Sequence, residues 1–410
     1  MERKLRVAYE NLDALSYDQL VSVVEESEEI LRNCPEGYCT FDPRNGIRVT
    51  YSLSRTTRPH DNAPQEGRDP CLGDRATQAS SAKTRLFPMA TPEQCFVCRG
   101  ETTPAVDVVP LSSGFTFINE NLFPMLLGHR NGAPELNGSW VERSRDAELS
   151  GGPPARSPDR RGSSDAAFFG TGPALGHHWL QWTSSDHYAD YHNMPPDDIA
   201  VGLERLGHLE EKVLHSPESG MPRRADGHYG HFGVIKNVGR LIGGSVSHGH
   251  QQMIHTNILP QRIEQDAEFM IRTGKSLAAF LLETNPRRLL IRDFAECVAL
   301  VPYFAKRPLE AMILPKQNRQ NLHELRSSEI AALAAALRTV CSCVVDLMVE
   351  MGREVAYNLV FHTGPIGRLY VEMLPWTQEI GGYEQLGIYV SQASPLITAE
   401  AFQRRLSTED

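Results

Sequence analysis

The stretch on which the rest of this chain depends reads Gly243-Gly244-Ser245-Val246-Ser247-His248-Gly249-His250-Gln251-Gln252-Met253-Ile254-His255. If residues 247–254 form a β-strand, successive side chains point to opposite faces, and His248, His250 and Gln252 share one face. Two imidazoles and a carboxamide on a rigid face suit an anion, a metal ion or a nucleophile. The glycines and serines before them offer backbone N–H groups and hydroxyls to a phosphate. The alternative is a histidine-rich strand without chemistry, because paired histidines alone are a weak signal.

The same stretch resembles the active-site segment of galactose-1-phosphate uridylyltransferases, members of the histidine-triad superfamily. The family pattern is an Asn, a run of glycine and serine, and then His-Pro-His-Gly-Gln, so Gly249 and Gln251 depart from it. The resemblance implies that His250 attacks the α-phosphorus of a nucleotide sugar and passes the nucleotide to a second phosphate. It assigns Ser245 and Gln252 to stabilising the charge on phosphate, and a Gln at the last position goes with transfer instead of hydrolysis.

The periodicity of the chain predicts a repeated α+β unit. Strand patterns at 178–183 and 232–235 flank a helical pattern at 196–215, and a second set of strands flanks a helix at 327–351. The order strand, strand, helix, strand, strand in both halves indicates duplication instead of a parallel doubly wound sheet. With the resemblance, we expect two histidine-triad-like units of antiparallel sheets flanked by helices. The expected divisions are an N-terminal helical segment at 1–44, with a helix over 11–33, and halves at 45–260 and 261–410, with a mobile insertion at 129–176.

Composition narrows the class of protein. The chain has 410 residues and a net charge of −10, which argues against a general nucleic-acid binder. No apolar segment typical of a secretion signal follows Met1, and no apolar run of the roughly 20 residues that a membrane span needs is evident. Eight cysteines in so long a chain suggest reduced thiols and a metal site, and hence a cytoplasmic location.

A two-cysteine motif, Cys95-Phe96-Val97-Cys98, has the spacing that suits tetrahedral zinc. A redox pair or a chance pair would look the same. Since no second Cys-x-x-Cys exists, any other ligands must be histidines or carboxylates. In the family that the chain resembles they are the His of a Ser-Pro-Asp-His motif and the first active-site His, which implies His187 and His248 here. Such a zinc would be structural and would fix the strand that carries His250.

Further residues are implied to contact the nucleotide sugar. Arg55-Thr56-Thr57-Arg58-Pro59 resembles the family's Arg-x-x-Arg-Pro, and guanidinium groups suit phosphate oxygens, although two solvated arginines are the alternative. Asn119-Glu120 resembles an Asn-Asp pair at the nucleoside, with the longer Glu in place of Asp. The remaining positions that the resemblance assigns to the substrate are Asn237, Gly243 and Gly244.

The second half departs further from the family. His362 alone stands where the family has three histidines around an additional metal, and the later pair reads Tyr370-Val371-Glu372, which disfavours a second metal site. The sugar-contacting region matches loosely, over 381–395. We therefore expect a nucleotidyltransferase acting on a nucleotide sugar and a sugar phosphate, with homodimers as in relatives. The alternatives are a nucleotide-sugar or dinucleoside-polyphosphate phosphorylase using inorganic phosphate and a zinc-stabilised nucleotide-binding protein without catalysis.

Overall fold

Two antiparallel sheets organise this computed structural model, which describes residues 5–25, 27–35, 37–41, 47–50, 55, 90–128, 172–364 and 367–408. The strands in chain order are β1 (Tyr38–Phe41), β2 (Arg48–Thr50), β3 (Ala105–Pro110), β4 (Phe115–Glu120), β5 (Gly172–Pro173), β6 (Gly176–Trp182), β7 (His231–Val238), β8 (His250–Thr256), β9 (Leu290–Asp293), β10 (Cys297–Leu300), β11 (Ala311–Pro315), β12 (Tyr357–His362) and β13 (Tyr370–Pro375). A small sheet has the order β2-β1-β5, and a ten-stranded sheet has the order β3-β4-β6-β8-β7-β12-β13-β11-β10-β9.

Helices flank the large sheet. They are α1 (Tyr17–Glu25), α2 (Glu28–Leu31), α3 (Phe96–Arg99), α4 (Pro196–Leu214), α5 (Gln261–Thr273), α6 (Leu277–Thr284), α7 (Ser327–Glu350), α8 (Gly382–Gln385) and α9 (Pro395–Ser407). Short 3-10 helices cover Leu12–Ala14, Pro217–Ser219, Arg240–Ile242, Arg287–Leu289 and Leu322–Glu324.

The ten-stranded sheet consists of two runs of five strands with one topology. Read from its outer edge inward, each run has its first, second, third, fifth and fourth strand in that order, namely β3-β4-β6-β8-β7 and β9-β10-β11-β13-β12. In each run the long helix, α4 or α7, lies between the third and fourth strands. The runs meet where β7 pairs with β12, with Asn237 opposite Asn358. The predicted α+β duplication is therefore confirmed.

The two long helices share one hydrophobic core with the central strands. Leu203 and Leu206 of α4 and Leu333 and Leu337 of α7 are buried in a single cluster that also includes residues of β7 and β12. The spacing of three and four residues is that of an amphipathic helix. In composition and length, α7 alone among the described helices is apolar enough to cross a membrane, but 56% of its most apolar window is buried inside the protein.

Several elements differ from the sequence-based expectation. The helix expected over 11–33 is a 3-10 turn followed by α1 and α2, with Ser27 capping α2 through a bond from the Ile30 N–H. The segment after residue 260 forms two helices, α5 and α6, instead of one. Gly274 adopts a left-handed conformation (φ 72°) and ends α5. Left-handed backbone is a common helix terminator and suits glycine.

Within the ten-stranded sheet, each run also contains one strand more than expected before its long helix. The edge strands β3 and β9 were missed, since they are short and carry charged residues such as Asp107 and Arg292. The insertion expected at 129–176 is wrong at its end, where residues 172–173 and 176 belong to β5 and β6. Residues 129–171 lie outside the described residues.

Candidate active site and metal cluster

The imidazole of His250 is fixed at the first position of β8. Its Nδ1 donates a hydrogen bond to the carbonyl oxygen of His248 at 2.9 Å, so the lone pair of the neutral ring is on Nε2. The ring lies 5.0 Å from the Trp182 ring, centroid to centroid, on the adjacent strand. His248 itself precedes the strand, contrary to the expectation of a strand starting at Ser247. The two histidines therefore lie in different structural elements.

His250 borders an open cavity that the sequence-predicted residues largely surround. The cavity has about 1370 Å³ of empty volume, including its mouth. Arginine, amide, hydroxyl and carboxylate groups line it together with apolar walls, as is usual for a ligand site. Among the predicted site residues, those that line it are Arg55, Asn119, Glu120, Ser245, His250 and Gln252.

A chain of hydrogen bonds that the sequence did not reveal orients Gln252. The side-chain amide of Asn121 lies 3.3 Å from Nδ1 of His178, and Nε2 of His178 lies 3.0 Å from Oε1 of Gln252. If Asn121 donates to Nδ1, the ring carries its proton on Nε2 and donates it to Gln252. The amide N–H₂ of Gln252 is then left to face the cavity as a donor.

Other predicted binding residues have structural partners of their own. Asn119 donates to the hydroxyl of Thr103 at 2.9 Å and accepts from the indole N–H of Trp182 at 2.8 Å. Glu120 accepts a bond from the backbone N–H of His178 at 3.3 Å. Asn119 therefore positions the tryptophan beneath His250, and both residues form the wall of the cavity. Their contact with a substrate remains a prediction.

The remaining predicted positions are spread around the turn before β8. Arg55 lines the cavity and donates to the carbonyl of Phe123 at 2.6 Å, whereas Arg58 lies outside the described residues. Asn237 lies on β7 and borders a second, smaller hollow on the other side of His250. Gly243 has a left-handed φ of 91°, and a Cβ on Gly244 would lie 2.6 Å from the carbonyl of residue 239. Only glycine fits this turn without displacing backbone.

The four predicted metal ligands converge. Sγ of Cys98 lies 3.5 Å from Nδ1 of both His187 and His248, and Sγ of Cys95 lies 3.7 Å from Nδ1 of His248. One ligand atom from each of the four residues lies within 4.8 Å of the others. Tetrahedral zinc with its usual bond lengths would separate a sulfur from a nitrogen ligand by about 3.6 Å. The donor set therefore fits such an ion.

The outer nitrogens of both histidines support the same conclusion. Nε2 of His187 donates to the carbonyl of Ala90 at 2.6 Å, and Nε2 of His248 donates to the carbonyl of Ser184 at 2.8 Å. These bonds direct each Nδ1 lone pair toward the thiols, which is the usual outer support of a metal-bound imidazole. Burial lowers the pKa of His248 to about 4 and raises the pKa of Cys95 to about 12. Burial thus keeps the His248 imidazole neutral, and the Cys95 thiolate needs a cation beside it.

Comparison with known proteins supports the resemblance. No protein-family model matches the chain. An ADP-glucose phosphorylase of Arabidopsis thaliana is 24% identical over 176 residues, 40% of this chain and 48% of that protein. A galactose-1-phosphate uridylyltransferase of Thermotoga maritima is 27% identical over 136 residues, 32% of this chain and 42% of that protein. The chain thus matches about half the length of these curated relatives.

Solved structures extend the likeness to the whole fold. A uridylyltransferase structure superposes with a TM-score of 0.58 at 20% identity, covering 90% of this chain and 99% of that one. The ADP-glucose phosphorylase of Arabidopsis thaliana, with ADP-glucose bound, gives a TM-score of 0.54 at 19% identity, covering 89% and 98%. The chain is therefore similar to galactose-1-phosphate uridylyltransferases and to an ADP-glucose phosphorylase, in sequence over part of its length and in fold over most of it.

The two departures from the galactose-1-phosphate uridylyltransferase pattern, Gly249 and Gln251, meet at a buried lysine that the sequence did not single out. Lys236 is fully buried, and its Nζ lies 2.7 Å from a carboxylate oxygen of Asp190 and 3.1 Å from the carbonyl of His250. Asp190 lies against Gly249, where a Cβ would come within 2.7 Å of the carboxyl carbon. Oε1 of Gln251 accepts a bond from the same ammonium at 3.4 Å. Gly249 and Gln251 therefore accommodate an ion pair directly behind the candidate nucleophile.

The corresponding place in the second half is a buried polar cluster. Tyr370 and Glu372 hold the first and third positions of β13, as His250 and Gln252 do in β8. Nε2 of His362 lies 2.8 Å from Glu372, and the Tyr370 hydroxyl donates to Asp266 at 2.7 Å. Burial alone would raise the pKa of Glu372, but the hydrogen bond from His362 and nearby positive charges hold it at about 2.

Proposed function

We propose that this protein transfers a nucleoside monophosphate from a nucleotide sugar to a sugar phosphate through a covalent nucleotidyl-His250. The observation that supports it most directly is His250 at the edge of a large cavity, with Nδ1 bound to a carbonyl and Nε2 as its nucleophilic nitrogen. A neutral imidazole in a fixed tautomer is an activated nucleophile. The named relatives are proteins of the same chemical class.

The first half-reaction forms a nitrogen–phosphorus bond. Nε2 of His250 attacks the α-phosphorus, and the bond from that phosphorus to the bridging oxygen breaks, releasing a sugar phosphate that keeps the electron pair. The ring in the intermediate is cationic, because Nδ1 retains its proton. The carbonyl of His248, 2.9 Å away, accepts that proton's hydrogen bond and stabilises the charge. In the second half-reaction an acceptor phosphate oxygen attacks phosphorus and releases neutral His250.

Donors around the cavity stabilise charge on the nonbridging oxygens. The amide of Gln252, oriented by His178, and the hydroxyl of Ser245 both line the cavity beside His250. Arg55, and Arg58 by resemblance, would balance the diphosphate. Such donors accelerate transfer when they are held in place before the charge develops. We propose that Asn119, Glu120, Asn237, Gly243 and Gly244 form the nucleotide-binding surface around these groups.

The metal cluster has a structural role in this proposal. Cys95, Cys98, His187 and His248 would hold zinc, which supplies rigidity when bound and neutralises the two thiolates. Because the carbonyl of His248 also accepts from His250, fixing His248 fixes the nucleophile. The seven cysteines in the described part of the chain are free thiols, which suits a reducing compartment such as the cytoplasm.

A second acceptor deserves equal testing because one named relative is an ADP-glucose phosphorylase. In that reaction inorganic phosphate would attack the same intermediate. The chemistry at His250 is unchanged, so only the second half-reaction distinguishes the two activities.

The test is to label the protein. Incubation with nucleotide sugars carrying radioactive α-phosphorus should leave acid-labile label on wild-type protein. A chase with hexose 1-phosphate should release the label as a new nucleotide sugar, whereas release by inorganic phosphate as a nucleoside diphosphate would assign the phosphorylase. Nucleotide-sugar binding without any labelling would instead indicate a binding protein without catalysis.

A further inference from the structure

Three histidines meet at a second place, which shares no residue with the zinc cluster and does not border the cavity of His250. His215 caps the C-terminus of α4, His228 lies in the following loop, and His323 lies in the 3-10 helix before α7. Their ring centroids are 4.8, 5.5 and 5.6 Å apart. One ring nitrogen of each lies within 4.8 Å of those of the other two.

Two of the three rings have a hydrogen-bond acceptor at Nδ1. The Nδ1 of His215 donates to the carbonyl of Glu211 at 2.8 Å, and the Nδ1 of His323 lies 2.9 Å from a carboxylate oxygen of Glu210. Glu210 is fully buried and also accepts from the backbone N–H of His323 at 2.9 Å. A proton held on Nδ1 leaves Nε2 with its lone pair, and a carboxylate behind the ring makes that nitrogen a stronger ligand.

The third ring has two neighbours at Nδ1. The Nδ1 of His228 lies 3.3 Å from a carboxylate oxygen of Asp226 and 3.1 Å from the guanidinium of Arg224. Arg224 is itself paired with Asp226. An ion at Nε2 selects the tautomer in which Nδ1–H donates to Asp226, and Arg224 then keeps Asp226 as its partner.

We propose that His215, His228 and His323 form a second site for a divalent transition metal, with Zn²⁺ as the representative ion. Three imidazole nitrogens suit zinc, nickel and copper better than magnesium or calcium. Water would complete the tetrahedron, as in three-histidine zinc sites. The ion would tie the end of α4, in the first half, to the segment that begins α7, in the second. This site does not depend on the activity proposed for His250.

The stoichiometry of bound zinc tests this site. The full-length protein, equilibrated with Zn²⁺ and then freed of unbound ion, should hold two zinc ions per chain by elemental analysis. His228→Asn and His323→Asn should each hold one. Glu210→Gln should keep the first ion and bind the second about 10–100-fold more weakly, since it loses the carboxylate behind His323. His208→Asn is the matched control, because His208 lies on α4 and is exposed but belongs to neither cluster.

Cobalt distinguishes the two sites by their ligands. The first Co²⁺ should add intense sulfur-to-metal charge-transfer absorption from Cys95 and Cys98, and the second should add only weak visible bands. Histidine variants should lose the second component and keep the first, which also shows that they are folded. A wild-type protein that saturates at one ion, or histidine variants that keep two, would overturn the assignment.

Discussion

The two halves of the molecule have the same strand order and different chemistry at the same position. The fifth strand of the first half begins with His250 and continues to Gln252 beside an open cavity. The fifth strand of the second half begins with Tyr370 and continues to Glu372, which pair with Asp266 and His362. The first half encloses a set of metal ligands, whereas the second half has a contact between His362 and Glu372 and a hydrogen bond from Tyr370 to Asp266.

This difference separates what determines the fold from what determines the reaction. The shared topology follows from connectivity and from the buried apolar faces of α4 and α7, which the two halves have in common. The first and third residues of each fifth strand then determine what lies at this position. They are a histidine and a glutamine beside a cavity in the first half, and a tyrosine and a glutamate in a buried polar cluster in the second. Duplicated units can therefore keep one fold while one copy carries the reaction.

The largest expected effect comes from removing the proposed nucleophile of the first half. His250→Ala should abolish the covalent intermediate and lower turnover by several powers of ten, each about 1.4 kcal/mol of barrier. Nucleotide binding should survive, because Arg55 and the cavity walls are unchanged. Labelling and equilibrium binding measure the two properties separately. His250→Gly with added imidazole should release a free nucleotidyl-imidazole.

The matched control lies at the equivalent position of the second half. Tyr370→Phe removes the hydroxyl that donates to Asp266 and should leave labelling of His250 intact. Acid-labile label that persists in His250→Ala would contradict the assignment, and equal loss of label in Tyr370→Phe would show that both halves contribute to the chemistry.

The second-largest effect is expected from removing the metal, which should destabilise the first half more than the second. Chelation, or Cys98→Ser, should lower the melting temperature by about 10 °C or more, because the binding energy of a structural zinc is part of the folding energy. The loss should concentrate in the first half, where the ligands come from α3 and the residue before it, from the turn before β8 and from the loop after β6. Hydrogen exchange resolves the two halves, with protection lost in β6 and β8 before β11 and β13.

A buried cysteine outside the cluster provides the control for this experiment. Cys343→Ser changes a buried thiol on α7 and should leave the metal content unchanged. Protein that contains no metal and melts at the same temperature with and without chelator would contradict the structural role.

The residues with strong local signals were predictable from the sequence. The spacing of Cys95 and Cys98 predicted the thiols of the metal cluster. The family resemblance implied His187 and His248 as the other ligands, and His250, Gln252 and Ser245 as the catalytic residues, which line the cavity. Lys236, Asp190 and His178 were not predictable, because their importance depends on strand pairing and packing between segments far apart in sequence. Lys236 lies inside a strand among apolar neighbours, and no pattern indicates that its ammonium reaches the carbonyl of His250.

The ion pair behind the nucleophile offers a third test of the comparison. Lys236→Met should lower the free energy of unfolding by about 3–5 kcal/mol, because it leaves the buried carboxylate of Asp190 without its cation. Across the junction of the halves, Lys236 lies opposite the buried Leu359 of β12. Leu359→Met should cost less than about 1.5 kcal/mol, as volume-conserving changes do. Urea unfolding measures both.

Adding Asp190→Asn to Lys236→Met should restore part of the loss, since it removes the unpaired charge. An equal loss in Lys236→Met and Leu359→Met would show that the charge pair contributes nothing specific to the first half.

The smallest expected effect concerns acid stability, in which two buried histidines on neighbouring strands should differ. Burial first, and then the charges of Arg224 and nearby histidines, lower the pKa of His231 on β7 to about 3, from 6.5. Below pH 6.5 the unfolded state therefore binds a proton at His231 that the folded state does not bind. The free energy of unfolding falls as the pH drops. His362 on β12 instead has the carboxylate of Glu372, whose lowered pKa of about 2 gives stability that is present above pH 4.5 and lost below it.

The variants His231→Gln and Glu372→Gln should distinguish the pH ranges in which the two groups affect stability. Between pH 6.5 and 4.5, wild-type protein should lose up to about 1.4 kcal/mol per pH unit more than His231→Gln, because the variant has no proton to bind in the unfolded state. Glu372→Gln should keep the loss of stability that His231 causes between pH 6.5 and 4.5. It should lack the additional loss that wild-type protein shows below pH 4.5. Measuring each variant against wild type by urea unfolding cancels the loss of metal that acid causes in both. Equal slopes in wild type and His231→Gln would show that His231 is protonated in the folded state, and the contrast between the two strands would then not hold.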